Sequence, residues 1–528
     1  MGHAAAPGGD REAGHADGNE EGHGDGQGRG PGRDVVIVGA GFAGTSVFLH
    51  LVRALLRPGI RTRTGPAARP VRSVQVVDPN PTGWGLAFGD SDPLLVCNSA
   101  ADVNSLLADR PTDFIDYLRE RGAPPEPQDC VPRARMAEYC HDRHTDARAL
   151  AIAHGIEVRH VRDTAVSVSA GAGGHRVRLR GGQEITGDEV VVCTGVHHPR
   201  VPDGFADFPG HPRYLDSPYP AGRIRGGLPP GSRVLVLGTH QSAVDAALLL
   251  CRDGHRTTMA SPSGLLPAVR RSLAAPVRDF PPLEGIARLD PADPRLEAKV
   301  TRCAVEAVRL LDRRPLRAQT STAADPVRRL REETALVEAG ACAWPGVVVP
   351  LLEGVIALSA GLPAARRRAL IAHFAWFVDR YATALTVVNA RRLLDHFETG
   401  ALRMAPAYPR AVSFDDDAWR VQWPQRSPGG SRASFDYVVN ATGFRPPELC
   451  WDTDGKAVHL GGVPGPAVAV DGLEADLRLR LRPGTEPEHI WVVGVGTHLR
   501  IPFSNHLRNV VRQARQVADE ISAVPSGG

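Results

Sequence analysis

The sequence predicts an α/β fold built around two dinucleotide-binding units, and three observations lead there. A run of apolar residues entering a Gly-rich turn and then an apolar helix occurs at Asp34–Gly44, where Gly39, Gly41 and Gly44 form G-x-G-x-x-G. A related pattern recurs about two hundred residues later, where Val234–Leu237 runs into Gly238-Thr239-His240-Gln241-Ser242-Ala243. Between residues 290 and 400 the pattern turns helical, with amphipathic runs at Ala364–Ala384 and Thr386–Phe397. Glycine permits the tight bend of such a turn, and backbone N–H groups at the helix start face an anion, so each turn cradles one pyrophosphate. Two of them on one chain imply two dinucleotides held together, and the usual purpose is electron transfer between them. The fold class is therefore α/β, with two Rossmann-like domains, one for FAD and one for NAD(P)H, and a helical insert.

The elements follow in order. Residues 1–33 are rich in Gly, Asp and His with almost no large apolar side chain, and read as a disordered tail. The first strand begins at Asp34, and a helix spans Thr45 to Leu56. An Arg/Pro-rich loop covers 57–71, and strand Val74–Val77 ends in Asp78. An acidic residue at the end of a second strand accepts hydrogen bonds from an adenosine ribose. A β-rich stretch runs through Val158–Val168 and Arg176–Leu179 to Glu189–Gly195. The second unit opens after Pro220, with strand Arg233–Leu237, helix Ser242–Cys251 and strand Thr257–Ser261. The chain returns to β character at Phe435–Phe444, then strand Ile490–Val493 and helix Asn505–Ser522. This divides the chain into an FAD domain at 34–220 and 400–525, an NAD(P)H domain at 221–290, and a helical insert shaping a substrate region at 291–399.

Composition narrows the function classes. A chain of 528 residues, 42% hydrophobic, can bury more than one core, and its net charge of +3 asks for neither nucleic acid nor an anionic membrane. Its basic residues are almost all Arg, with only Lys299 and Lys456 as lysines. The eight cysteines include no C-x-x-C pair, so neither a zinc site nor a redox disulfide is encoded locally, and no metal is expected. They read as small buried apolar residues in a reducing cytoplasm. The N-terminus has no apolar signal core, and Val347–Leu362 is too short for a bilayer and holds Pro350 and Glu353. It reads as a buried helix, and the protein as cytoplasmic without membrane partner.

Several segments carry a family resemblance. They are Asn98-Ser99-Ala100-Ala101 with Ser105, Pro111 and Phe114; Val131-Pro132-Arg133-Ala134-Arg135 with Glu138-Tyr139; and Gly264-Leu265-Leu266-Pro267. With the two turns and Ala441-Thr442-Gly443, they resemble bacterial FAD/NAD(P)-binding oxidoreductases of the class B flavin monooxygenase type, a set that includes amino-acid N-hydroxylases. The resemblance implies that Gly39, Gly41, Phe42, Ala43 and Gly44 hold the FAD pyrophosphate and that Asp78 takes the ribose. Gly83–Phe88 and the segment of Asn98 would pass the flavin, with Arg133 in a loop packed on it. Gly238, Gln241 and Ser242 would hold the nicotinamide cofactor. Arg270 and Arg271 suit a 2′-phosphate and lean toward NADPH over NADH. Thr442 and Gly443 would line the cofactors at a strand end that is hinge-like in relatives. Asn505 and His506 fall at the start of the last helix, which usually points at the flavin; Ser504 or Asn505 would cap it, and His506 either faces substrate or is structural.

Two departures from the family pattern matter. His240 stands where the second turn wants its middle glycine and Ala243 where it wants the last, so a turn that no longer binds nicotinamide is the competing reading. Phe208–Tyr214 is either the monooxygenase linker fingerprint, with Tyr214 in place of His, or a plain Pro/Gly linker. The expected reaction is N-hydroxylation of a small amine or amino acid by O₂ through a C4a-hydroperoxyflavin, with Arg366–Arg368 and Arg391-Arg392 as candidate carboxylate clamps. The alternatives are NAD(P)H oxidation without oxygen insertion and a non-catalytic nucleotide-binding regulator. A homo-oligomer is compatible with either.

Overall fold

The computed structural model describes residues 32–523 apart from 58–68, 127–128, 172, 197, 425–431, 453, 455, 462–467, 470–472 and 481–484. The expected tail lies almost wholly outside these residues, as does most of the Arg/Pro-rich loop. In chain order, the strands that position the site are β1 (Arg33–Val38), β2 (Val71–Val77), β3 (Glu157–Val161), β4 (Glu189–Val192), β5 (Tyr214–Leu215), β6 (Arg233–Leu237), β7 (Arg256–Ala260), β8 (Leu402–Met404), β9 (Tyr437–Asn440) and β10 (Ile490–Val492). The helices are α1 (Phe42–Leu55), α2 (Arg133–Ala153), α3 (Gln241–Arg252), α4 (Leu296–Leu311), α5 (Pro326–Glu338), α6 (Pro345–Ala360), α7 (Val387–Glu398) and α8 (Leu507–Ser522).

Two five-stranded parallel sheets form the frame. The first has the order β10-β4-β1-β2-β3 and the second β8-β7-β6-β9-β5. Each thus carries its Gly-turn strand at the centre with the next two strands on one side; on the other side lie two later strands beside β1, but one later strand (β9) and one earlier strand (β5) beside β6. Parallel sheets are covered on both faces, which is why their strands are continuous apolar runs. Along β1, Val35 and Ile37 face α1, α2 and α8, while Val36 and Val38 face an antiparallel sheet that includes Ala165–Gly171 and Gly174–Leu179. The period-2 alternation of a strand assigns one set to each cover. In β6, Val234 and Val236 pack on α3 and α7, while Leu235 and Leu237 meet a three-stranded sheet carrying Trp419 and Phe435.

The expected buried helix at Val347–Leu362 is α6, with Val347, Val348, Leu351, Leu352, Val355 and Leu358 facing the core of the helical insert. Pro350 sits inside it. Two boundaries need correction. Strands β8 and β9 stand in the second sheet, so the chain does not return to the first domain at residue 400 but only with the segments that lead to β10. Strand β5 also belongs to the second sheet, which therefore begins before Pro220. Strand pairing is a tertiary choice that the apolar runs alone leave open.

Candidate functional site

The carboxyl ends of the parallel strands are where α/β sheets bind ligands, at the point where strand order reverses. In the first sheet that point is β1, flanked by β2 and β4. Gly39 leaves β1 at φ +100°, and a Cβ on it would lie 2.7 Å from the Cys193 carbonyl oxygen at the end of β4. Gly44 sits so close to the strand that a Cβ would come within 1.8 Å of the Gly39 carbonyl. Gly41 is the N-cap of α1, with no side chain capping the helix, and a Cβ there would meet nothing nearer than Gly85 Cα at 3.8 Å. The three glycines thus serve different needs: a left-handed turn, helix–strand contact, and an open face toward an anion. Phe42 and Ala43 begin α1; Phe42 is buried 6.2 Å from the Phe88 ring. The segment carrying Gly83 lies over the turn through Gly83 N–H to Ala40 O at 2.7 Å.

Asp78 ends β2 as expected, half-buried beside the turn. Its Oδ2 accepts the Ala40 N–H at 2.8 Å and its Oδ1 accepts the Asn80 N–H at 2.8 Å. Among the buried polar atoms without partners are Asn98 Oδ1, Thr194 Oγ1 directly after β4, and His506 Nδ1 with Asn509 Nδ2 one turn apart at the start of α8. Unpaired buried groups are costly, and a bound polar ligand is one of the things that removes the cost. These atoms and the glycine cradle fit FAD. Thr194 and Asn509 were missed from sequence, although the Cys193-Thr194-Gly195 strand end and the three-residue spacing from His506 were there to be read.

The second turn reproduces the first. Gly238 has φ +116°, and a Cβ would lie 2.6 Å from the Ala441 carbonyl at the end of β9. His240 caps α3 at φ −86°, ψ −169°, against φ −71°, ψ −160° for Gly41, so histidine imposes no backbone strain. His240 is exposed as a residue, though the packing around its imidazole lowers the ring's pKa, and the turn accommodates Ala243. Gln241 donates to the Thr383 and Ala384 carbonyls, both at 3.3 Å, which ties the turn to the helical insert; Ser242 is half-buried. The geometry therefore fits a pyridine nucleotide despite the lost glycines.

Several expectations are corrected. Arg133 does not lie free against a flavin: its guanidinium is paired with Asp245 at 2.7 Å and with the Tyr219 hydroxyl at 3.1 Å. Arg270 is wholly buried rather than open to a 2′-phosphate; it donates to the Tyr381 and Ala382 carbonyls at 3.1 and 3.0 Å, and its Nε and Nη2 are unpartnered. Burial lowers its pKa to about 10. Arg271 is exposed. Thr442 belongs to the second sheet, its hydroxyl donating to Asn440 Oδ1 at 2.7 Å, and Gly443 O accepts the Arg200 N–H at 2.9 Å, a turn clamped to the crossing chain. Neither Ser504 nor Asn505 caps the last helix; His506 does so by its backbone, and Asn505 is exposed. His506 is buried, and that burial lowers its pKa to about 4, so the ring is neutral near pH 7. The proposed clamps are occupied: Arg366 pairs with Glu297, Arg367 binds the Arg500 carbonyl, Arg391 pairs with Glu338, and Arg392 binds the Leu94 carbonyl. Arg368 is exposed.

The helical insert roofs the start of α8. Glu353 of α6 pairs with Arg508 and Arg512 of α8, both at 3.1 Å. Among the described residues, no helix is long and apolar enough to cross a membrane, and no group of three metal-ligating side chains forms.

Paired sheets with matched Gly turns define a two-dinucleotide fold, and comparison names its cofactor class. A family model described as FAD-NAD(P)-binding matches residues 36–197, which span β1 to the end of β4. FAD and a nicotinamide nucleotide are the cofactors of this fold. A stretch of 92 residues, 17% of this chain, is 36% identical to the indole-3-pyruvate monooxygenase YUCCA1 of Oryza sativa subsp. japonica, and the match spans about a fifth (22%) of that protein. Among solved structures, the ornithine N-hydroxylase of Kutzneria sp. 744 is similar at a TM-score of 0.56 and 16% identity, with 93% of this chain and 99% of that one aligned. That similarity carries the fold, including both nucleotide units, across nearly the whole chain.

Proposed function

We propose that this protein is an FAD-dependent monooxygenase that consumes NAD(P)H and N-hydroxylates a small amine or amino acid. The observation that carries the reading is the duplication of one glycine turn, with matched φ values and matched blocking carbonyls, at the central strands of two five-stranded parallel sheets. One dinucleotide needs one such turn; two serve a hydride donor and its acceptor. The Kutzneria enzyme, whose structure holds reduced FAD, NADP⁺ and L-ornithine, supports the substrate class.

Bound FAD supplies the two-electron chemistry and the activation of O₂; the chain supplies position and exclusion of water. Gly39 and Gly44 set the turn and seat α1 on β1, so that the open face at Gly41 would present backbone N–H groups to the FAD pyrophosphate, and Asp78 would orient the ribose through its remaining lone pairs. Gly238 and the start of α3 do the same for the nicotinamide nucleotide. The Glu353–Arg508–Arg512 contact ties the insert to the start of α8, and a site closed around the bound cofactors would keep water from competing. An amine with a pKa of about 10 is roughly a thousandfold protonated at pH 7, so the pocket must deliver it neutral, which burial favours.

Mass spectrometry of products from a panel of amines and amino acids, with FAD, NADPH and ¹⁸O₂, tests this. The expected result is a product one ¹⁸O heavier. Nicotinamide oxidation with stoichiometric peroxide and no labelled product would overturn oxygen insertion and leave a plain oxidoreductase.

A further inference from the structure

We propose that Arg133, Asp245 and Tyr219 form a buried latch that sets the angle at which the nicotinamide nucleotide is presented to the flavin. The inference rests on the two-cofactor reading above and assigns to Arg133 a positioning role in place of the expected flavin contact.

The three residues come from three elements. Arg133 opens α2, which packs on α1, the helix of the first Gly turn, with Phe48 and His144 stacked at 4.5 Å. Asp245 lies one turn after Gln241 in α3, the helix of the second Gly turn. Tyr219 lies between β5 and β6, in the segment that joins two strands of the second sheet. Arg133 Nη2 meets Asp245 Oδ2 at 2.7 Å, with side-chain exposures of 11% and 0%. Arg133 Nη1 donates to the Tyr219 hydroxyl at 3.1 Å, that hydroxyl donates to Asp245 Oδ2, and Arg133 Nε donates to the Val96 carbonyl at 3.1 Å. A chain of contacts therefore runs through the interior from α3, the helix of the second turn, to α2, which packs on the helix of the first.

Stability alone does not explain the arrangement. A buried ion pair loses the hydration of both charges, and apolar residues of similar volume hold two elements together as well or better. Here the pair is also incompletely satisfied, since Asp245 Oδ1 is buried without a partner. What a planar guanidinium on a carboxylate provides that apolar packing does not is a fixed direction. Hydride transfer needs that direction, because a misplacement of about 1 Å costs about 100-fold in rate.

The test uses the full-length FAD-loaded protein and stopped-flow bleaching of the flavin by saturating NADPH or NADH. The variants are Tyr219→Phe, Asp245→Asn and the double replacement Arg133→Met with Asp245→Leu. The double variant is expected to melt at or above the wild-type temperature and to retain FAD, while its flavin is reduced about 100-fold more slowly. Its photochemical reduction, and reoxidation of the reduced flavin by O₂, should match wild type. Tyr219→Phe, which deletes one hydroxyl, should show a smaller loss in the same direction and keeps the question open to measurement if the other variants do not fold. Wild-type bleaching rates in the double variant or in Tyr219→Phe overturn the latch and leave the functional reading intact. Slow reduction accompanied by equal loss of FAD and of photoreduction also overturns it, by making the cluster a structural prop. A wild type that neither nicotinamide nucleotide bleaches overturns the two-cofactor reading and the latch together.

Discussion

Gly41 and Gly44 stand three residues apart in one motif, yet the structure gives them opposite failure modes. In Gly44→Ala the new Cβ would lie 1.8 Å from the Gly39 carbonyl oxygen, where side-chain carbons essentially never come within 3.0 Å, so α1 and β1 must separate by at least 1.2 Å. Neither partner yields easily. Gly39 is tied to the Val77 carbonyl by its N–H at 2.8 Å, and α1 is packed between α2 and α8 by Val47, Phe48 and Leu51. Overpacking of this kind costs about 1–3 kcal/mol, and with backbone on both sides the upper end applies. Gly41→Ala places its Cβ 3.8 Å from Gly85 Cα at φ −71°, a conformation any residue adopts. The apoprotein should keep its stability within about 0.5 kcal/mol. The added methyl stands on the open face of the turn, however, and should weaken FAD by at least about tenfold, or about 1.4 kcal/mol. Thermal melts of both apoproteins, with FAD titrations followed by flavin absorbance, separate the two. Equal loss of apoprotein stability in Gly41→Ala, or wild-type melting in Gly44→Ala, would refute this division of labour.

Other outcomes follow from the same geometry. Asp78→Asn removes a carboxylate that accepts from Ala40 and Asn80 and should weaken FAD by about 1–2 kcal/mol, measured by the same titration. His240→Gly should lower the KM for NAD(P)H with kcat unchanged, at a folding cost of only a few tenths of a kcal/mol (about 0.3), because the cap's backbone angles already match those of Gly41; an unchanged KM would show that the imidazole does not hinder the turn. Burial lowers the pKa values of His50, His144 and His506 from 6.5 to about 4. The folded state then binds fewer protons than the unfolded one, so the stability these neutral rings contribute is complete above about pH 6.5 and is lost as pH falls toward 4. Each ring adds at most about 1.4 kcal/mol per pH unit to that slope. Urea unfolding between about pH 7 and 5 checks it, and a midpoint that does not fall with pH would contradict the burial of these rings as neutral species.

How much of this was readable in advance depends on distance along the chain. Both turns, the helices behind them, Asp78 and the buried helix α6 follow from residues a few positions apart. Asn98 and His506 were also picked out, and each carries a buried polar atom without a partner. Arg133 and Arg270 were not readable. Each looks like a cofactor ligand by type and motif, and each has its guanidinium engaged or enclosed by a segment that the motif does not contain.

What the sequence determined by itself is a pair of glycine turns on apolar strands, because positive φ, helix entry and strand alternation are local demands that a short run of residues meets alone. Only the tertiary structure decided that β8 and β9 complete the second sheet, that Arg270 is sealed beneath the insert, and that Arg133 finds its carboxylate on α3. The physical reason is the same in each case: strand pairing and ion pairing in the interior are settled by which surfaces are brought together and dried, and that is a property of the whole packed chain.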